Sequence, residues 1–194
     1  NHKDEKGCYH SRHRVTHCKS IGGRKMFKYK RIMVIGCSAS GKSTFSRRLS
    51  EITGIPVTHL DTLFWKPGWI EEDRDIFREK QRKVIVADSW IIDGQYKSTM
   101  EMRLERAQLV FWYRLSRFDC VTGYLRRLLK DIIKPAARSD ITEGCDEKLD
   151  FEFIRYIWNY NKTQDKPVEQ LLKKYPGIKV ITFKTRKQAD AFLK

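Results

Sequence analysis

The chain is predicted to fold as a three-layer α/β/α body around a mainly parallel five-stranded sheet. Three observations lead there. Short apolar runs of strand length recur along the chain, segments with apolar residues at helical spacing separate them, and several runs end on a glycine or an acid. Strands alternating with helices in this way give parallel pairing, with helices on both faces of the sheet.

The elements follow in order. Arg31-Ile32-Met33-Val34-Ile35 is a short apolar run ending at Gly36, which reads as a buried parallel strand. Ser43 to Ile52 reads as a helix, with Phe45, Leu49 and Ile52 turned to a core and Gly54 ending it. Ile55 to Leu60 is a second strand, ending at Asp61. Residues 71–87 are strongly charged, with Ile76, Phe77, Val84 and Ile85 at helical spacing. Trp90-Ile91-Ile92 is a third strand ending at Asp93-Gly94, and residues 98–106 form a short charged helix. Gln108 to Tyr113 is the fourth strand, and Arg117 to Ile133 is a basic amphipathic helix closed by Pro135. A polar stretch with Gly144 covers residues 136–149. Phe151 to Lys174 has helical period, and Pro167 predicts a break or a fresh helix start within it. Lys179 to Phe183 is the last strand and Arg186 to Leu193 the last helix.

At 194 residues the chain suits one α/β domain, read as 29–194 with a lid region at about 117–150. Residues 1–28 are read as a basic, disordered extension, because they show neither helical nor strand periodicity. Cys8, His10, His13, His17 and Cys18 cluster there, but their spacing matches no standard zinc finger, so a histidine-containing tail is expected rather than a metal site. The net charge is +16, and residues 1–31 carry ten basic against two acidic residues. Such a balance points to polyanionic ligands, whether nucleotides or nucleic acid. No run approaches the roughly 18 apolar residues of a membrane span, and no membrane partner is expected. The five cysteines and the absence of an apolar leader segment point to a reducing, cytoplasmic setting.

Chemistry concentrates at Gly36-Cys37-Ser38-Ala39-Ser40-Gly41-Lys42-Ser43. Gly-x-x-x-x-Gly-Lys-Ser between a strand and a helix is a Walker A phosphate loop, and it makes the expected fold that of a P-loop NTPase. Gly36 and Gly41 let backbone wrap a phosphate, with the N–H groups and the start of the next helix turned inward. Lys42 is expected at the β- and γ-phosphates of ATP, Ser43 on Mg²⁺, and Thr44 toward the α-phosphate. Cys37 reads as a small filler within the loop rather than a nucleophile, since no histidine base adjoins it.

Asp61 and Asp93 stand at strand ends, where parallel sheets bind ligands. Asp93 follows an apolar strand as a Walker B acid does and is a candidate for Mg²⁺ or the acceptor; Asp61 is placed to take a proton from an attacking hydroxyl or to help position Mg²⁺. The alternative for each is a helix cap or turn residue. Leu63-Phe64-Trp65-Lys66-Pro67-Gly68-Trp69 is either a stacking surface for a planar group or a hydrophobic cover on the core. His59 is expected to pack rather than react. Arg126 and Arg127 are the lid candidates for offsetting phosphoryl charge, beside Arg117 and Arg138, with Lys66 and Arg103 as further acceptor-side cations.

Together, Gly36 to Thr44, His59-Leu60-Asp61 with Trp65-Lys66-Pro67-Gly68-Trp69, and Trp90-Ile91-Ile92-Asp93-Gly94 resemble the adenylate-kinase-like family of DNA topology modulation (FlaR-related) proteins. Gly144 to Asp150 and Phe153-Ile154-Arg155-Tyr156-Ile157-Trp158-Asn159-Tyr160 extend the resemblance over roughly residues 30–193. It implies a nucleoside-monophosphate-kinase-like core and ATP binding without settling the substrate. With Lys42, Ser43, Asp61, Asp93 and the lid arginines around the loop, the expected activity is a phosphotransferase passing the γ-phosphoryl group to a small nucleoside, nucleotide or related acceptor. The alternative it carries is an ATP-binding, DNA-associated regulator. Gln95 stands where the pattern has Asn, and Tyr96-Lys97 replaces the Pro-Arg of adenylate kinases, which argues against AMP as acceptor.

Overall fold

The first apolar run becomes β1 (Arg31–Gly36), the middle strand of the sheet in the computed structural model. The structure describes residues 20–21, 24–25, 27–133, 139–145 and 148–194. The other strands of the sheet are β2 (Val57–His59), β3 (Trp90–Asp93), β4 (Leu109–Tyr113) and β5 (Lys179–Phe183). They lie in the order β2-β3-β1-β4-β5 and every neighbouring pair is parallel. The helices are α1 (Lys42–Thr53), α2 (Leu60–Phe64), α3 (Arg74–Ile85), α4 (Met100–Leu104), α5 (Arg117–Ile133), α6 (Phe151–Lys173) and α7 (Arg186–Phe192). This is the expected α/β fold. Of the expected extension, Ser20–Ile21 pairs antiparallel with Arg24–Lys25, while the Cys8–Cys18 cluster lies outside the described residues.

Alternation along the strands builds two cores. Ile32 and Val34 of β1 join Phe45 and Leu49 of α1, Tyr124 and Leu128 of α5 and Ala189 of α7 on one face. Met33 and Ile35 join Phe77 and Ile85 of α3 with Met100 and Leu104 of α4 on the other. Successive side chains of a strand point to opposite faces, so a strand covered on both sides must be apolar throughout, as residues 32–35 are. Phe45 meets Phe111 edge-on at 4.9 Å and Phe183 at 5.5 Å. Contacts of this kind contribute about 0.5–1.5 kcal/mol each beyond buried area, and they hold the start of α1 against the sheet.

Helix α6 corrects the reading of Pro167. One helix runs from Phe151 to Lys173 with Pro167 inside it. Its first half puts Ile157 and Tyr160 into one core, and its second half puts Val168, Leu171 and Leu172 into the other. The helix therefore crosses from one face of the sheet to the other, anchored on both sides of the proline, and Arg114 after β4 grips its Asp165 at 2.8 Å. Packing at both ends offsets the hydrogen bond that the proline removes. None of the helices among the described residues is long and apolar enough to cross a membrane.

Candidate active site

Because the strands are parallel, their carboxyl ends share one edge, and α6 passes over it. A cavity of about 800 Å³ opens there. Gly36, Ser38, Ala39, Lys42 and Ser43 form one part of its wall; Asp61, Asp93 and Gly94 to Lys97 form another. Trp65 and Trp69, then Tyr124, Arg127, Asp140, Lys148, Phe153, Tyr156 and Gln164, complete it.

The phosphate loop is shaped by a close approach. Gly36 has φ 134°, and a Cβ there would lie 2.3 Å from the carbonyl oxygen of Tyr113 on β4. Gly41, at φ 102°, precedes α1, which has no side-chain cap and no acid in its first turn. By contrast α3, α6 and α7 are capped by Asp73, Asp150 and Thr185. The first N–H groups of α1 thus lack a side-chain acceptor, the condition in which a helix start receives an anion. Lys42 Nζ donates to the Cys37 carbonyl at 2.6 Å. The Cys37 side chain is buried, and its hydrogen bond with the Cys120 thiol and its burial push its pKa up, which suits a filler and not a nucleophile. Ser40 is buried, Thr44 is exposed, and neither reaches the cavity wall. Arg186, which residue pattern alone does not single out, donates to the carbonyls of Ala39 at 2.9 Å and Asp119 at 2.8 Å. Its signal is positional: it opens the helix that follows a parallel strand's carboxyl end.

The two acids are held differently. In the register of β2 against β3, His59 lies opposite Asp93, and His59 Nδ1 meets Asp93 Oδ2 at 2.8 Å. His59 is packed, as expected, but it also orients the acid. Asp93 Oδ1 is buried with no hydrogen-bond partner. Asp61 does not end a strand: β2 stops at His59, and Asp61 sits in the first turn of α2, because the chain turns helical at Leu60. The Tyr96 hydroxyl donates to Asp61 Oδ1 at 2.6 Å. Burial raises the Asp61 pKa and the Asp93 charge adds to this, while Tyr96 and Lys42 act the other way.

Tyr96 adopts φ 33°, left-handed backbone that a non-glycine residue holds only when its surroundings enforce it. Arg103 enforces it. Its guanidinium donates to the carbonyls of Gly94 (2.9 Å), Tyr96 (2.9 Å), Thr99 (3.2 Å) and Gln95. Arg103 is 0 % exposed, so it braces the turn and does not face an acceptor, which corrects its place among the acceptor-side cations. Arg103→Leu would strand these carbonyls; a loss of about 3–5 kcal/mol is expected, since a buried ionic group's partners are left uncompensated. Urea unfolding of the variant measures it, and an unchanged midpoint would mean the turn stands without this brace.

Residues 65–71 form a small antiparallel hairpin, Trp65–Lys66 against Ile70–Glu71. Lys66 is tied to Glu72 at 2.6 Å and Lys80 to the same carboxylate at 2.7 Å, which holds the Glu72 pKa at about 2. Residues 139–145 close onto the hairpin: Gly68 N donates to Gly144 O at 2.9 Å and Cys145 Sγ to Lys66 O at 3.2 Å. Of the arginines expected in a lid, Arg127 reaches the wall, 5.5 Å over the Tyr124 ring, whereas Arg126 is exposed and off the wall. Arg117 stacks on Trp158 at 4.9 Å, and Arg138 lies outside the described residues.

No protein-family model matches the chain, and no curated protein matches its sequence. Among solved structures, shikimate kinase from Acinetobacter baumannii in complex with shikimate aligns with a TM-score of 0.52 at 16% identity, over 86% of this chain and 92% of that one. An uncharacterized protein from Eubacterium ventriosum ATCC 27560 aligns at 0.41 and 15% identity, over 84% and 96%. At such identity the first likeness speaks for the fold alone, a P-loop α/β fold with a mainly parallel five-stranded sheet and flanking helices.

Proposed function

We propose that this chain is an ATP-dependent phosphotransferase that moves the γ-phosphoryl group of ATP to a small nucleoside, nucleotide or related acceptor, on a kinase-like core of the kind its resemblance to the DNA topology modulation proteins implies. One observation carries the reading: the uncapped phosphate loop and the Tyr96-bound Asp61 carboxylate line the same cavity. The backbone from Gly36 to Thr44 would hold the ATP phosphates, with Lys42 against the β- and γ-oxygens. Arg127, rather than the outward Arg126, would offset the charge spread over the transferring group. The lid would span about 117–150, and residues 1–28 would be an appendage to the domain.

Ser43 and Asp93 would hold Mg²⁺, and the unpartnered, buried Asp93 Oδ1 fits that role. Bound there, Mg²⁺ supplies neutralisation of phosphate charge. An acceptor hydroxyl oxygen attacks the γ-phosphorus, and the bond to the β–γ bridging oxygen breaks. That oxygen leaves on ADP with the electron pair, and Asp61 takes the hydroxyl proton. Tyr96 and Arg103 keep the carboxylate aimed, and His59 does so for Asp93. The DNA-associated alternative has no comparable observation behind it: half of the net charge lies in residues 1–31, most of them outside the described residues.

Incubation with Mg-ATP and a panel of small alcohols and monophosphates is expected to release ADP only when the right acceptor is present. Asp61→Asn should slow that release about 10²–10⁴-fold, the usual contribution of a positioned base, with ATP affinity unchanged. Tight ATP binding without acceptor-dependent ADP release across the panel would refute the phosphotransferase reading.

A further inference from the structure

We infer that the acceptor is an uncharged nucleoside and not a nucleotide or a hydroxy acid. This rests on the phosphotransferase reading and adds the chemical class of the second substrate. The acceptor half of the cavity is the part bounded by the hairpin, by the turn after β3 and by α6.

Its cations are spent elsewhere. Lys66 and Lys80 share Glu72, and Arg103 is buried under the carbonyls of the 94–99 turn. Lys97 stands at the exposed end of the turn, exposed Lys148 precedes α6, and Arg127 of α5, assigned above to the transferring group, completes the basic residues on the rest of the wall beyond Lys42. Asp61 and Asp93 both line the cavity, and since Asp93 is the acid assigned to Mg²⁺, Asp61 is the fixed negative charge that meets the acceptor. A phosphomonoester or carboxylate would settle beside Asp61, and the hairpin, the turn and α6 put no arginine on the wall to grip it bidentately, as such anions are normally recognised. A neutral molecule meets no such repulsion.

The remaining surface suits a flat, polar ring. Trp65 and Trp69 meet edge-on at 5.4 Å, and Trp69 is 40% exposed. Tyr156, 45% exposed, presents a further ring from α6 on the same cavity. Indole and phenol faces stack on a nucleobase irrespective of its identity. Gln95 has its carbonyl oxygen engaged by the Tyr160 hydroxyl, which leaves its amide N–H groups for a ligand, and Gln164 adds a second amide to the wall. Neutral amides donate to and accept from base edges and sugar hydroxyls without demanding charge. The Asp61 carboxylate then lies where a ribose hydroxyl would be accepted.

Calorimetric titration of the full chain tests this, with and without a non-hydrolysable ATP analogue and Mg²⁺. The ligands are adenosine, guanosine, cytidine and thymidine, their 5′-monophosphates, ribose and shikimate; the same set is offered as acceptors with labelled ATP. At least one nucleoside is expected to bind tenfold or more tightly than its own monophosphate, ribose or shikimate. Trp65→Ala should weaken that binding tenfold or more, and the more exposed Trp69→Ala does so with less risk to folding. A monophosphate or shikimate that binds as well as the nucleosides, or is the compound phosphorylated, overturns the inference and leaves the phosphotransferase reading intact. Ribose binding as tightly as any nucleoside overturns it in favour of a sugar, and binding of none of the compounds overturns it outright. Nucleoside binding without phosphoryl transfer upholds the ligand class and removes the kinase reading.

Discussion

Lys42→Ala is expected to lower phosphoryl transfer about 10²–10³-fold, the loss found when one pre-aimed charge-stabilising donor is removed from a transition state. Lys42 is the cation that the phosphate loop itself presents to the cavity, and its ammonium already lies across the loop, on the Cys37 carbonyl at 2.6 Å. It is half-buried, and its ammonium bonds to a backbone carbonyl and not to a side chain of the core. The folded state should therefore tolerate its loss, and the thermal midpoint should move little. Initial rates of acceptor phosphorylation, taken beside a melting curve of each protein, separate the two effects. A variant that keeps its rate within about threefold would remove Lys42 from the chemistry, since a factor of ten corresponds to only about 1.4 kcal/mol of barrier.

Gly36→Ala is expected to be the most damaging single methyl group in the chain. The added Cβ would meet the Tyr113 carbonyl oxygen at 2.3 Å and the Tyr113 Cβ at 2.8 Å, on backbone at φ 134°. The obstacle is the neighbouring strand, paired in register as Gly36 against Tyr113, so no flexible side chain can swing aside. A cost of about 3–5 kcal/mol follows from combined strain and displaced pairing, which lowers the melting temperature by roughly 10 °C in a domain of this size. ATP binding should fail with it, because the loop can no longer leave β1 along its present path. Gly177→Ala is the matched control: a Cβ there meets nothing within 4 Å, and its melting temperature should stay near that of the parent. Equal melting temperatures for the two variants would show that the close approach at Gly36 carries no weight.

Much of the Gly36 to Thr44 side of the cavity is legible in the amino-acid order. Gly36 to Thr44 is contiguous, its residue types answer to the shape of a phosphate, and its strand-helix flanks are visible as local periodicity. Asp61 and Asp93 are legible as acids after apolar runs. The acids' partners are not. His59 and Asp93 are 34 residues apart, Tyr96 and Asp61 are 35 apart, and Arg186 and Ala39 are 147 apart. Each pair exists only because parallel strands bring their carboxyl ends to one edge.

Residue type also misleads where depth is invisible. By charge alone Arg103 belongs with the acceptor-side cations, yet it is sealed under the backbone it supports, and no charge pattern distinguishes a buried arginine from a surface one. Pro167 predicts a break, yet two separate cores hold α6 straight through it. Sequence alone determined the α/β fold and the strand-to-helix placement of the Gly36 to Thr44 segment, because hydrophobic period and a short glycine-bounded motif are local properties of the chain. The aim of Asp61, the orientation of Asp93, the course of α6 over the cavity and the sequestration of Arg103 were decided by tertiary packing, because strand register and burial select a side chain's partners from anywhere along the chain.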